Sequence, residues 1–180
     1  MTVELVHCSP DAEGLIVRMA RVSNPTNENN VATAPKLLKY LIDHQHWSPF
    51  EMASLCVRIA TERDISAQIL RHRSFSFQEF STRYAEAQTP VVPELRRQDL
   101  KNRQNSTNDL DFEVIKYYQE CIDNHYLNAK ELYTKMITAG VAKECARRIL
   151  PLSTQLLCIC TALCGRGYIM SMYALIQVHN

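Results

Sequence analysis

A strict alternation of apolar and polar side chains at Leu55, Val57 and Ile59 constrains the fold more than any other feature of the sequence. Such alternation is typical of a half-buried strand, and it predicts a strand over about residues 52–61. A second alternating segment, residues 2–8, predicts another short strand. Any fold that this chain adopts therefore includes a sheet.

Five segments have apolar residues at helical spacing, which predicts five helices. Ser9 or Asp11 can cap the first helix, and Gly140 ends the longest one. Residues 89–107 contain two prolines and few apolar side chains, so they predict a surface loop or flap. The predicted helices span about residues 10–22, 34–44, 62–71, 109–138 and 142–150. This order of strands, helices and loop indicates an α+β fold.

Several classes of binding site are disfavoured by what the sequence lacks. The chain has four glycines, no Gly-x-Gly-x-x-Gly after a strand and no Walker A sequence. A Rossmann dinucleotide site is therefore not expected. Because 20 Lys and Arg face 19 Asp and Glu, the net charge is +1, which excludes a polybasic nucleic-acid arm as the main function.

The length of 180 residues corresponds to one domain, or to a large domain with an appendage. No apolar run reaches the roughly 18 residues that a membrane helix needs, and the first residues lack a basic-then-apolar signal pattern. We therefore expect no membrane association. The expected location is the cytoplasm, of a bacterium or of the host cell of a virus.

Seven cysteines are an odd number, which is unusual for a secreted disulfide framework. Cys8, Cys56, Cys121 and Cys145 are scattered and are expected to be reduced, mostly buried small hydrophobes. The other three form a Cys-x-Cys-x3-Cys run at Cys158, Cys160 and Cys164. A metal site would need a fourth ligand, and His179 is a poor candidate, so no metal is predicted.

The densest group of functional side chains lies between Arg71 and Tyr84, with three arginines, a histidine, a glutamate and three serines. Arg71 and Arg73, two residues apart, cannot share one helix face. Guanidinium groups suit phosphate and carbonyl oxygens. Ser81 and nearby backbone amides can complete an anion cradle, and Glu79 can accept a hydrogen bond from a ribose hydroxyl. The segment therefore predicts a nucleotide-binding site.

Two other interpretations of this segment stay open at the level of composition. It can be a solvated charged turn without a ligand. Because Phe75 and Phe77 interleave with the arginines, it can also belong to an RNA-binding module. The nearly neutral net charge argues against RNA.

The sequence resembles the flavin-dependent thymidylate synthases, whose signature is Arg-His-Arg, seven residues and then Ser. Arg71-His72-Arg73 and Ser81 have that spacing. The extended form of the signature also has a Glu two residues before the Ser and an Arg-Tyr pair soon after it. Those positions hold Glu79, Arg83 and Tyr84.

Three further elements support the resemblance, which extends over roughly residues 1–155. His46-x-Ser-Pro-Phe-Glu51 is similar to the family's His-x-(Ser/Thr)-Pro-Phe-Glu segment. Gln68 stands three residues before the signature, as in the family. Downstream, Ala146-Arg147-x-x-Leu-Pro151 is similar to the family's Ala-Arg-x-x-Leu-Pro element.

The resemblance implies an antiparallel sheet flanked by long helices and an enzyme that methylates dUMP to dTMP. Methylenetetrahydrofolate would be the one-carbon donor, FAD the redox cofactor and NADPH the reductant. The family also implies a homotetramer with active sites at subunit interfaces. No nucleic acid is implied as a partner.

The resemblance also assigns binding residues by position. His46 would lie near the flavin or the folate. Ser81 is expected to bind phosphate rather than to act as a nucleophile, because no base stands at an obvious spacing to activate it. The residues expected to contact FAD are Ser48, Arg71, His72, Arg73 and Glu79. Those expected to contact dUMP are Gln68, Ile69, Leu70, Arg71, Glu79, Phe80, Ser81, Thr82, Arg83 and Arg147.

Residues 156–180 depart from the family. They contain no Asp or Glu, and the arginine that activates uracil in the family is missing, so no catalytic residue is assigned. Codons for the run from Leu163 to Gly167 can read Leu-Arg-Ser-Trp in a shifted frame, as the family requires. We therefore predict a domain over residues 1–155 and a tail over 156–180 that is frameshifted, naturally or by a sequencing error. The tail is expected to pack poorly or to promote association.

Two alternatives follow from this tail. The tail can be divergent but genuine. The chain can also be a catalytically impaired, truncated remnant that still binds FAD or dUMP.

Overall fold

The structure is a computed structural model that describes residues 1–28, 30 and 32–164. Both strands predicted from alternation are present, as β1 (Thr2–Cys8) and β2 (Ser54–Glu62). The first three predicted helices are α1 (Ala12–Ala20), α2 (Ala34–Asp43) and α3 (Arg63–Ile69). Asp11, rather than Ser9, caps α1, because its side chain accepts a hydrogen bond from the Gly14 N–H. Each predicted helix is therefore confirmed but slightly shorter than its apolar pattern.

The longest helix, α4 (Phe112–Thr138), begins later than predicted. Asp111 caps it by accepting hydrogen bonds from the N–H groups two and three residues on. Asp109 instead accepts from the Thr107 hydroxyl at 2.6 Å, so its prediction as the start of the helix was wrong. At the other end Gly140 has a φ of +85° and closes the helix as predicted.

Four strands form the main sheet in the order β1-β2-β6-β3, where β3 is Ser76–Glu79 and β6 is Gln155–Leu163. β1 pairs antiparallel with β2, and β3 pairs antiparallel with β6. On β2 and β6 alternate residues are buried, so one face of these strands packs on a core. The α+β class with an antiparallel sheet is confirmed.

The chain divides into two compact units. Among the described residues, the first comprises Met1–Thr61, Ala67–Glu79 and residues 157–164, and it contains most of the main sheet. Its core joins helices α1 and α2 to the strands. The buried members of this core are Ile16, Leu41, Phe50, Ala53 and Cys164. Burial of such side chains at about 25 cal/mol per Å² of apolar surface is what holds the helices on the sheet.

The second unit comprises Glu62–Ser66 and Phe80–Leu156. It contains α4, the short helix α5 (Lys143–Ala146) and a 3-10 turn, Arg147–Ile149, where a single helix over residues 142–150 was expected. Its core consists of Ala87, Tyr133 and Ala146 with their apolar neighbours. The predicted loop over residues 89–107 contains a small hairpin of β4 (Arg97–Gln98) and β5 (Ser106–Thr107).

The first residues of the predicted tail belong to the sheet. Leu156, Cys158, Cys160 and Ala162 alternate along β6 and are buried. Poor packing was therefore the wrong expectation for this segment. The rest of the tail predicted to be frameshifted, residues 165–180, lies outside the described residues. The boundary at residue 155 stays a prediction.

All seven cysteines are free thiols. Cys121 and Cys145 are exposed, so the expectation that the scattered cysteines are mostly buried was wrong for these two. In the part of the chain that the structure describes, no helix combines the length and apolar character needed to cross a membrane.

Candidate functional site

Arg71 and Arg73 lie in a turn just after α3 ends. The backbone N–H of Arg71 donates to the Gln68 carbonyl at 3.2 Å, and that of His72 donates to the Ile69 carbonyl at 3.0 Å. Both arginines are exposed, and among the described residues no ion pair or side-chain hydrogen bond engages either guanidinium. The turn therefore presents two cations that can bind an anion without first breaking an internal contact.

Contacts between aromatic rings hold this turn in place. The rings of His72 and Phe75 stack with their centroids 4.0 Å apart and an angle of 13° between their planes. Phe77 contacts Phe75 edge-on at 6.1 Å. Because Phe75 is only 7% exposed, its face is not available to stack on a nucleobase. This argues against the RNA-binding interpretation of the interleaved aromatics.

A cleft of about 560 Å³ lies in the same unit, at the His46-to-Glu51 segment. Ser48 is on its wall, in a 3-10 turn over Ser48–Met52 that follows from Pro49 at the first turn. The cleft is lined by Met19, Ala20, Leu41, Gln45, His46, Trp47, Ser48, Pro49 and Glu51. None of the lining residues comes from positions 68–79, so Ser48 and the arginine turn do not share this wall.

The side chains around the turn differ in their exposure to solvent. Gln68 is exposed and Leu70 is partly exposed, whereas the Ile69 side chain is 7% exposed and faces the core. Any contact of Ile69 with a ligand would therefore come from its backbone. Glu79, on β3, pairs with Cys158 of β6. Burial, and then the nearby negative charge of Glu79, raise the pKa of the Cys158 thiol.

The second unit holds the other predicted residues, Phe80 to Arg83 and Arg147. Arg147 is half-buried, and its Nη1 donates to the Thr82 hydroxyl at 3.0 Å. Thr82 itself is buried. The Ser81 carbonyl accepts from the N–H groups of Tyr84 and Ala85, both at 3.1 Å, which makes this segment a tight turn. Thr82 and Arg147 are thus in direct contact.

Two contacts of this segment were not anticipated from the sequence. Arg83 forms an ion pair with Glu144 at 3.2 Å, and Lys143 Nζ donates to the Tyr84 carbonyl at 3.2 Å. The charges of Lys143, Glu144 and Arg147 at helical spacing were the signal that could have indicated a polar face here. Three successive residues, 82 to 84, are therefore tied to one turn of helix.

Each of the two groups of arginines suits an anionic ligand. Guanidinium forks bind phosphates through paired N–H donors, and exposed ones do so without a large desolvation cost. The first unit offers the Arg71 and Arg73 forks, and the second unit offers those of Arg83 and Arg147. Among the described residues, no group of three or more His, Cys, Asp or Glu side chains is placed to hold a metal ion.

Comparison with known proteins identifies the family. The family model for "Thymidylate synthase complementing protein" matches residues 4–163, which includes β6. A probable flavin-dependent thymidylate synthase of Paramecium bursaria Chlorella virus 1 is 51% identical over 144 residues, covering 79% of this chain and 67% of the viral protein. The flavin-dependent thymidylate synthase of Synechocystis sp. is 50% identical over 142 residues, covering 79% of this chain and 65% of the relative.

Solved structures agree with these relatives. The UMP/dUMP methylase PolB of Streptomyces cacaoi, bound with 5-Br dUMP, superposes with a TM-score of 0.77 at 29% identity, covering 90% of this chain and 72% of PolB. The chain spans about two thirds of the length of the two curated relatives. The antiparallel sheet, the arginine turn and the Thr82–Arg147 pair thus occur in a chain that belongs to the flavin-dependent thymidylate synthase family.

Proposed function

We propose that this chain is a flavin-dependent thymidylate synthase that converts dUMP to dTMP. The observation that carries the proposal is the Arg71-His72-Arg73 turn in a chain of this family: Arg71 and Arg73 are exposed, and their guanidinium groups have no ion pair among the described residues. An enzyme that holds two anionic ligands side by side needs such cations. Composition alone allowed a solvated turn, and family membership favours the binding role.

FAD is the proposed cofactor, and the residues present fit it. Arg71 and Arg73 would bind its pyrophosphate, and His72 would contact FAD from the same turn. Glu79 is exposed on β3 and would accept a hydrogen bond from a ribose hydroxyl. Ser48, on the wall of the 560 Å³ cleft, would contact FAD from its own segment. The volume of the cleft is within the range of small-molecule sites.

dUMP is the proposed substrate, and the PolB structure with a brominated dUMP supports this choice. Ser81, Arg83 and Arg147 would hold the phosphate. No described side chain hydrogen-bonds to the Ser81 hydroxyl, which supports phosphate binding over a nucleophilic role. The remaining proposed contacts are Gln68, Ile69, Leu70, Arg71, Glu79, Phe80 and Thr82.

When bound, FAD would supply the redox chemistry of the proposed reaction, with methylenetetrahydrofolate as the one-carbon donor and NADPH as the reductant. The residues of this chain bind and orient. Arg147 is fixed by Thr82 and would present its remaining N–H donors to the nucleotide. A cation at this position stabilises negative charge that develops on a bound ring or phosphate.

We propose a homotetramer in the cytoplasm, as the family implies. Helix α4 exposes Phe112, Tyr117, Tyr118, Leu127 and Leu132. Exposed apolar side chains of this size on one helix favour burial against another subunit. Light scattering coupled to gel filtration should give four times the 20.7 kDa chain mass. A monomer at micromolar concentration would contradict the assembly.

The activity is tested by measuring dTMP formation from dUMP with FAD, methylenetetrahydrofolate and NADPH. The purified chain should be yellow and should release tritium from dUMP labelled at the reacting carbon. Stripping the bound FAD from the protein, or replacing dUMP with dCMP, should abolish turnover. Turnover that is independent of FAD would contradict the proposal.

A second candidate is a chain that binds FAD or dUMP without turnover. The observation that favours it is the composition of residues 156–180, which lack Asp and Glu and the family's uracil-activating arginine as written. Binding of dUMP or FAD without dTMP formation would support this second candidate. Nucleotide sequencing of the locus tests the tail itself: a family-like continuation in a shifted frame supports the frameshift, and its absence supports a divergent, genuine tail.

A further inference from the structure

Both backbone polar groups of Ala87 are held by side chains of α4. The Ala87 N–H donates to the Tyr133 hydroxyl oxygen at 3.1 Å. Lys130 Nζ donates to the Ala87 carbonyl at 2.7 Å. Tyr133 is 1% exposed and Ala87 is 3% exposed, so water cannot readily replace these partners. The sequence did not indicate either contact, because 43 and 46 residues separate the partners.

Lys130 and Tyr133 form one unit on the helix. The Lys130 ammonium lies 5.4 Å from the centroid of the Tyr133 ring, within the range of a cation–π contact. The ring also packs on Ala87 and Ala146 in the core of the second unit. The two side chains therefore support each other as well as Ala87.

Ala87 ends the segment that carries the proposed dUMP residues. At its other end, Thr82, Arg83 and Tyr84 contact Arg147, Glu144 and Lys143. The segment over residues 81–87 is thus fixed at both ends within one unit, and it begins with a tight turn whose first residue is Ser81. Loss of either anchor leaves the segment free to shift, and a shift of about 1 Å in a positioning group is enough to weaken binding strongly.

We propose that Lys130 and Tyr133 are positioning residues for dUMP, which act by fixing the segment over residues 81–87 through the backbone of Ala87. They do not touch the nucleotide. The inference rests on the proposed function, since it presumes that this segment binds dUMP.

The test is Tyr133→Phe, which removes one hydroxyl and keeps the ring. The dissociation constant for dUMP should rise about tenfold, the factor expected for one buried hydrogen bond left unmade. FAD affinity should stay within twofold, because its proposed residues lie elsewhere in the chain. Hydrogen exchange of the peptide covering residues 81–88 should become faster.

The matched control is Ala129→Gly, a buried position on the same helix that is not a member of the Ala87, Tyr133 and Ala146 core cluster. Glycine in a helix interior destabilises it, so the melting temperature should fall without a change in dUMP affinity. If Ala129→Gly weakens dUMP binding as much as Tyr133→Phe does, the effect is general destabilisation and the proposal is overturned.

Lys130 gives a second test if Tyr133→Phe fails to fold. Lys130→Met should weaken dUMP binding, and Lys130→Arg, which keeps a donor, should restore most of it. If the wild-type protein binds dUMP and the variants bind it equally well, this inference is overturned and the proposed function is not. Wild-type protein that does not bind dUMP would overturn the proposed function first.

Discussion

At the residue scale, the arginines of the candidate site differ in what they already contact. Arg71 and Arg73 are exposed and make no ion pair among the described residues. Arg83 is paired with Glu144, and Arg147 is held by Thr82. The first pair can therefore meet a ligand directly, whereas the second pair is oriented by the protein before a ligand arrives.

Arg147→Ala should weaken dUMP binding by about 1.5–3 kcal/mol, the value of a charge-assisted hydrogen bond. Isothermal titration with dUMP measures it. Arg148→Ala is the control, because Arg148 is adjacent, exposed and without a described partner. Equal losses in the two variants would show that only net charge matters and would contradict the assignment of Arg147.

Glu144→Gln should increase dUMP affinity by a few fold, because it releases Arg83 from a competing carboxylate while the Thr82–Arg147 and Tyr84–Lys143 contacts still hold the segment over residues 81–87. The ion pair is more than half exposed on both sides, so its loss should cost less than about 1 kcal/mol of folding free energy. Glu131→Gln, which breaks the exposed pair with Lys135, is the control. Weaker dUMP binding by Glu144→Gln would mean that Glu144 helps the ligand rather than competes with it.

The cysteines should react in two classes. Burial raises the pKa of Cys160 to about 11, and the thiol is 1% exposed. Iodoacetamide at about pH 8 should therefore modify Cys121 and Cys145 and spare Cys160 until the chain unfolds. Peptide mass spectrometry identifies the modified cysteines. Rapid labelling of Cys160 in the folded protein would contradict the placement of β6 in the core.

The same burial sets a pH dependence of stability. The folded pKa of Cys160 lies above its unfolded value of about 8.5. The stabilising effect of the buried neutral thiol is therefore complete below about pH 8.5 and is lost as the pH rises towards 11. The pH dependence of stability can be compared with that of Cys160→Ser, in which this thiol is absent and does not titrate.

At the element scale, periodicity predicted the helices and the strands β1 and β2 but missed the short strands and the nine-residue β6. β1, β2 and the helices have side chains that alternate or recur clearly, and they were found. β3 has only four residues. β6 was missed because its outward-facing Leu157 and Ile159 are apolar as well, so the buried alternation is hidden in the sequence.

Helix boundaries depend on side-chain contacts that spacing does not reveal. Two aspartates stand near the start of α4, and either could have been the cap. The structure selects Asp111, because Asp109 is bound to Thr107 and forms an ion pair with Arg97 at 3.3 Å. The hairpin of β4 and β5 was not predicted for the same reason, because polar contacts rather than apolar residues stabilise it.

Asp111→Ala should lower the free energy of unfolding by about 1 kcal/mol through loss of the cap. Urea denaturation followed by circular dichroism measures the change. Asp123→Ala, in the exposed middle of α4, should be neutral or slightly stabilising, because alanine has the higher helix propensity. A larger loss for Asp109→Ala than for Asp111→Ala would place the cap at Asp109 and contradict the structure.

At the scale of the whole molecule, the sequence proposes residues for the candidate site but does not indicate what positions them. The Arg-His-Arg and Ser spacing is local, so a single sequence reveals it. The supports from Tyr133, Lys130 and Lys143 come from far along the chain, and only folding brings them to the segment over residues 81–87. The tail shows the same limit, because its first residues form a buried strand that their composition did not indicate.

The central claim is that the turn at Arg71 and Arg73 binds the flavin. The most direct measurement is a fluorescence titration of FAD with the wild-type chain and with the double variant Arg71→Ala/Arg73→Ala. Arg58→Ala, which removes an exposed arginine on β2, is the control. We expect wild type and control to bind FAD alike and the double variant to bind at least about a hundredfold more weakly. Equal FAD binding by the double variant, or no binding by the wild type, would contradict the claim.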